Sequence, residues 1–173
     1  MTVHIEHRLD LFLEEEVEDI IELGDALVLS EGKIKDDKID HTIRNSKIAW
    51  IHPGPSTWWL FDRAIMVFKS SLPFNSLQSM QFTIYDSKGS HYDWHRDIGS
   101  GDEIMKARVN VGILQLSSPS EYKGGVLQIK YEDQVIDVMK TKGMVTTFPI
   151  QLEHRVTPVT SGVRKTLIMW GLT

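Results

Sequence analysis

From residue 77 onward the chain breaks into short apolar runs separated by turn chemistry, and this pattern limits the fold more than any other feature. The runs fall at about 77–86, 91–96, 107–117, 125–131, 134–140, 144–148, 154–159 and 163–172. Between them stand Gly99-Ser-Gly101-Asp102, Lys123-Gly124-Gly125, Glu132-Asp133 and Lys142-Gly143, residue types that reverse a chain readily. Eight runs of this length, bounded by turns, predict a double-sheet jelly roll or a barrel.

Upstream the period changes. Leu13, Val17, Ile20, Ile21 and Leu27 recur at helical spacing between Asp10 and Leu29, with Glu14, Glu15, Glu16 and Glu18 interleaved. Asp10 is suited to cap that helix, and the acidic run favours its early turns. We read these carboxylates as a solvated face rather than a cation site. A second helix is expected from Ser56 to Leu72, capped by Ser56 or Thr57. Leu60, Phe61, Ala64, Ile65 and Phe68 form its buried stripe, Trp58 and Trp59 pack, and Pro73 and Asn75 end it. Residues 30–46 read as a loop with one short strand, and Lys47 to His52 as a strand stopped by Pro53-Gly54-Pro55. The expected architecture is mainly β with N-terminal helices, an α+β arrangement with both helices packed on one sheet. One domain spans 1–173, with 1–75 as helical support and 76–173 as the jelly-roll core.

The chain has no Cys, which removes disulfides, thiolate zinc sites and a Cys nucleophile. Its formal net charge of −5 argues against broad nucleic-acid binding, and no apolar run reaches membrane-spanning length. A soluble, intracellular, cytoplasmic protein is expected.

Chemistry concentrates in Tyr85-Asp-Ser-Lys-Gly-Ser-His-Tyr-Asp-Trp-His-Arg-Asp97. In a strand, residues i and i+2 project to one side, so His-x-Asp aims an imidazole and a carboxylate together. Two such pairs stand here, His91-x-Asp93 and His95-x-Asp97, and spacing alone does not choose between them. His154 and Arg164 lie near the C-terminus. Two His and one carboxylate on one face of a metal, with other positions open, form the facial triad of non-haem Fe(II) oxygenases. His41 and His52 lack partners at a metal spacing and read as surface residues.

At these residues the sequence resembles the Fe(II)/2-oxoglutarate-dependent dioxygenases, in particular their prolyl 4-hydroxylase-like branch. The resemblance is carried by Tyr85, Gly89, Tyr92 and His95-Arg96-Asp97, then Arg108, Gly112-Ile-Leu-Gln-Leu-Ser117 and Pro119 through Ile129. It closes with His154-Arg-Val-Thr-Pro-Val-Thr-Ser-Gly-Val-Arg164 and Trp170. That closing block is similar to the bacterial and phage prolyl-hydroxylase-like group. The resemblance implies a double-stranded β-helix and makes His95, Asp97 and His154 the catalytic metal ligands, with His91 and Asp93 as neighbours. It also implies Fe(II), 2-oxoglutarate and O2, with ascorbate as an accessory reductant.

The distal carboxylate of 2-oxoglutarate needs a fixed cation, and Arg164 is the candidate. Arg164, Thr166, Ile168 and Trp170 share one face of a strand, which aims Thr166 at the same carboxylate. By resemblance Tyr85 lies near the cosubstrate. Gln115 is the polar member of an otherwise apolar face with Val109, Val111 and Ile113; the family often has an aromatic there, so no role carries over. Trp94, Arg96 and Trp170 receive no role. Asp97 argues against halogenating relatives. Trp170 stands where nucleic-acid demethylases of the superfamily carry a second Arg. The implied reaction is hydroxylation of a prolyl residue in a peptide or protein. A free amino acid or other small molecule is the alternative substrate, and a non-catalytic metal-binding jelly roll is the alternative class.

Overall fold

The computed structural model describes residues 4–34, 38–69, 74–98 and 103–173. Pro73 and the Gly99–Asp102 turn, both expected chain breakers, lie outside these residues, as do parts of the 30–46 and 98–106 loops. Alternating apolar residues build an eight-stranded antiparallel sheet. Its order is Glu6–Arg8, Val145–Pro149, Arg108–Gln115, Arg164–Leu172, Met80–Tyr85, Lys47–Ile51 and Ser30–Glu31, with Ser76–Leu77 also pairing with Arg164–Leu172. A five-stranded sheet faces it, ordered Gln134–Asp137, Leu127–Tyr131, His154–Val156, His91–His95 and Arg44–Asn45. Tyr122–Gly124 and Val159–Gly162 form a separate ribbon.

Period two divides the core into two layers. Met80, Phe82, Leu114, Leu167 and Met169 point away from the smaller sheet, against Val17 and Ile20 of helix Glu14–Asp25 and Leu60, Ala64 and Phe68 of helix Trp58–Phe68. The residues between them, Tyr85, Val111, Ile113 and Trp170, pack toward Leu127, Ile129 and Val156 of the smaller sheet. Both helices thus lie on one sheet, as expected. The first approaches so closely that a Cβ on Gly24 would stand 2.4 Å from the Phe82 ring.

Several local expectations differ. The first helix starts at Glu14, and Asp10 does not cap it, because both its oxygens accept from Arg8 at 3.0 and 2.7 Å. The backbone N–H of Leu13 donates instead to Glu16. Thr57 precedes the second helix, but its hydroxyl donates to the His52 carbonyl. Ile65 is 42% exposed and Val67 takes its place in the stripe. At about 100° per residue Val67 falls beneath Leu60 and Ala64, whereas Ile65 turns off that arc. The run 154–159 divides at Thr157-Pro158 into strands of different sheets, and 134–140 keeps strand geometry only over Gln134–Asp137. Among the described residues, 1–75 supply four strands as well as helices, and three of those strands, Ser30–Glu31, Arg44–Asn45 and Lys47–Ile51, border the cleft described next.

Candidate metal and anion site

Strand register brings the first two polar groups together. His154 is the direct cross-strand partner of His95, so their rings meet at 4.2 Å between centroids. Asp97 follows His95 by two residues and projects to the same side. Its Oδ1 lies 3.7 Å from His95 Nε2 and 3.9 Å from His154 Nε2. One ligand atom from each of the three residues lies within 4.8 Å of the others, a spacing that could hold a metal ion.

Protonation suits that task. His95 Nδ1 faces the Asp93 carbonyl at 2.7 Å, and His154 Nδ1 the Leu152 carbonyl at 3.2 Å. A carbonyl only accepts, so Nδ1 carries the proton in each ring and the Nε2 lone pairs face the cluster. Burial, and then His154 beside it, drive His95 down to about 3 despite the opposing pull of Asp97. Burial pushes the Asp97 carboxyl up, but His154, His95, the Trp170 indole and Arg108 together outweigh it and hold the group below its ordinary value. A neutral imidazole and a carboxylate result, donors that fit Fe(II).

Aromatic and cationic groups hold these donors in position. Trp170 Nε1 donates to Asp97 Oδ2 at 2.8 Å, and the Arg108 guanidinium lies 3.9 Å from the Trp170 ring centre. Tyr92 stacks on His95 at 3.5 Å, with Arg44 4.5 Å above the Tyr92 ring. Arg44 is buried and bonds to Ser46, Gln81 and the Lys33 carbonyl. His91 and Asp93 lie apart from the cluster. The ring nitrogens of His91 face the carbonyls of Gly89 and Thr42 at 2.7 and 3.1 Å, and Asp93 is exposed. Trp94 lies between Lys130 and Arg155, while Arg96 is exposed near Glu153.

A cleft of about 960 Å³ joins the cluster to Arg164. Arg164, Thr166, Ile168 and Trp170 all line it, as strand alternation predicts. Tyr85 is the cross-strand partner of Arg164, with its ring centre 5.3 Å from the guanidinium, and burial pushes its phenol up. Arg164 is 2% exposed, yet its Nε has no hydrogen-bond partner and no described carboxylate pairs with it. A buried guanidinium left in this way is a candidate anion site.

Sequence reasoning assigned no role to Arg44, Gln81 or Tyr122. Arg44 and Tyr122 lie on strands of two and three residues, too short to show a period. Arg44 was detectable only as a lone Arg in a polar stretch. Gln81, on strand Met80–Tyr85, shares the cleft-facing side with Tyr85, so alternation could have found it.

Comparison with known proteins agrees with this geometry. A family model described as the 2OG-Fe(II) oxygenase superfamily matches residues 80–171. A PKHD-type hydroxylase of Azoarcus sp. is 31% identical over 113 residues, covering 63% of this chain and 49% of that protein. The chain therefore spans about half the length of the curated relatives it matches. A Pseudomonas putida prolyl-4-hydroxylase structure superposes with a TM-score of 0.80 at 19% identity, covering 99% of this chain and 94% of that one. A Trichoplax adhaerens prolyl hydroxylase, solved with a hypoxia inducible factor peptide fragment, gives 0.79 at 17% identity, covering 97% and 83%. These two structures share the fold. Among the described residues no helix is long and apolar enough to cross a membrane.

Proposed function

The chain belongs to the 2OG-Fe(II) oxygenase superfamily, and from that premise we propose that it is an Fe(II)- and 2-oxoglutarate-dependent dioxygenase hydroxylating a prolyl residue in a peptide or protein. The observation that carries this reading is Arg164. Its guanidinium is buried without a counter-charge in the same cleft that holds the His95, Asp97 and His154 cluster. One wall thus offers a metal site and the other a cation for the far end of a keto-diacid.

In this reading His95, Asp97 and His154 hold Fe(II) through lone pairs already turned inward. When bound, the metal with 2-oxoglutarate and O2 supplies an oxidation that releases succinate and CO2 and leaves one oxygen atom on the substrate. The protein does the rest. Trp170 fixes one Asp97 oxygen and leaves the other facing both imidazoles. Arg164 pairs with the distal carboxylate, the Thr166 hydroxyl donates to it, and Tyr85 borders the cosubstrate. Burial of His154, Trp170, Arg164, Thr166 and Tyr85, with His95 and Asp97 half-buried beside them, limits water and strengthens each charged contact.

A peptide is favoured over a free amino acid because the cleft volume falls at the upper end of the range for drug-sized ligands. The peptide-bound Trichoplax structure and the name of the Pseudomonas structure support a prolyl target. The experiment supplies purified protein with Fe(II), 2-oxoglutarate, ascorbate and proline-containing peptides, then measures succinate and peptide mass. Succinate formed in step with the gain of one oxygen atom is expected. Oxygen gained only by free amino acids would move the substrate to the small-molecule class. No Fe(II)-dependent succinate under any condition would reject the enzyme.

A further inference from the structure

Past Arg164 the cleft gives way to a void of about 10 Å³, room for one water-sized group. Arg164, Ile113 and Leu127 line both spaces, while Gln115, Tyr122 and Lys140 border only the inner one. Tyr122 comes from the two-stranded ribbon and is buried. Gln115 Nε2 lies 3.0 Å from the Ser117 carbonyl and 2.9 Å from the Tyr122 hydroxyl. Since the carbonyl can only accept, the Gln115 amide nitrogen donates both bonds. The phenol oxygen therefore accepts from Gln115, and its own hydrogen must go elsewhere. Among the described residues no acceptor takes it.

Arg164 Nε has the same lack. Gly125 brings the two groups together: at φ 55°, a Cβ there would stand 3.1 Å from Arg164 Cδ and 3.2 Å from Tyr122 Cε2. Lys140 covers the Tyr122 ring, with Nζ 4.5 Å from its centre, while bonding the Gly124 carbonyl. Two buried donors without acceptors thus border one small void, which fits a carboxylate oxygen. Building on the dioxygenase reading, we infer that Tyr122 is a cosubstrate-binding residue, donating its phenolic hydrogen to the distal carboxylate that pairs with Arg164. Gln115 sets the direction of that hydrogen by occupying the lone pair.

The test loads the intact chain with Mn(II) in place of Fe(II) and follows keto-acid binding by calorimetry. The ligands are 2-oxoglutarate and 2-oxopentanoate, which has the same length but no distal carboxylate. Tyr122→Phe keeps the ring and leaves Gln115 bonded to Ser117. It is expected to weaken 2-oxoglutarate binding roughly 10- to 100-fold, the loss for a hydrogen bond to a charged acceptor. Affinity for 2-oxopentanoate and for Mn(II) should stay as in the wild type. Unchanged 2-oxoglutarate affinity in Tyr122→Phe, with Arg164→Ala still losing it, overturns the role of Tyr122 and leaves the dioxygenase reading intact. Equal weakening of both keto acids marks a packing role and overturns it too. A wild-type protein that binds neither keto acid removes both readings together.

Discussion

His91-x-Asp93 and His95-x-Asp97 share one spacing, and one strand, His91–His95, carries both histidines, yet their surroundings differ in each respect that matters to a metal. The ring of His91 is occupied by two backbone carbonyls, and its partner Asp93 is exposed. His95 gives only Nδ1 to a carbonyl, is stacked beneath Tyr92 and stands opposite His154. Asp97 is fixed by Trp170. The spacing aims two side chains to one side of a strand. What makes a site is the partner strand that delivers a third donor and the burial that keeps the imidazole neutral.

That comparison can be broken most forcefully at the metal. Replacing His154 or Asp97 with Ala should abolish turnover and cost more than about a hundredfold in Mn(II) affinity, beyond the loss typical of outer-shell partners. Circular dichroism should show the fold retained, and the double replacement of His91 and Asp93 by Ala should bind Mn(II) as the wild type does. The reverse result would move the site to the first pair. Next in size is Arg164→Ala, expected to lower 2-oxoglutarate affinity by about 2–5 kcal/mol in calorimetry, as for a buried charge contact, with Mn(II) affinity unchanged. Trp170→Phe keeps the packing and removes the Asp97 bond, so a roughly 10- to 100-fold loss in metal affinity or activity should follow.

Smallest per unit step is a pH dependence of the metal-free protein. His95 titrates near 3 when folded and near 6.5 when unfolded, so its contribution is complete above 6.5 and is lost as pH falls toward 3. Denaturant melts should lose up to about 1.4 kcal/mol per pH unit in that window. Asp97, also lowered, adds a loss of the same sign below 3.8. His95→Gln should flatten the upper part of this slope; a slope unaffected by it would mean that His95 is not held neutral by burial.

What the sequence made legible follows from period two. The face Arg164, Thr166, Ile168 and Trp170 could be read from alternation alone, because one long strand carries all four. The two-layer β architecture was legible for the same reason. Register was not: nothing local pairs His154 with His95, so choosing between the His-x-Asp pairs needed a family resemblance. Arg44 and Tyr122 escaped because their strands are too short for a pattern, and each makes a side-chain bond to a residue of another strand, Gln81 for Arg44 and Gln115 for Tyr122. Ile65 lies outside the buried stripe because at about 100° per residue it turns off the arc of Leu60, Ala64 and Val67, a difference that an apolar run without a polar break does not reveal.

The most direct measurement is a crystal structure of the chain with Mn(II) and 2-oxoglutarate. The expected result is a metal bonded to His95 Nε2, His154 Nε2 and an Asp97 oxygen, with the distal carboxylate on Arg164. A metal held by His91 and Asp93, or a cosubstrate carboxylate bound away from Arg164, would contradict it.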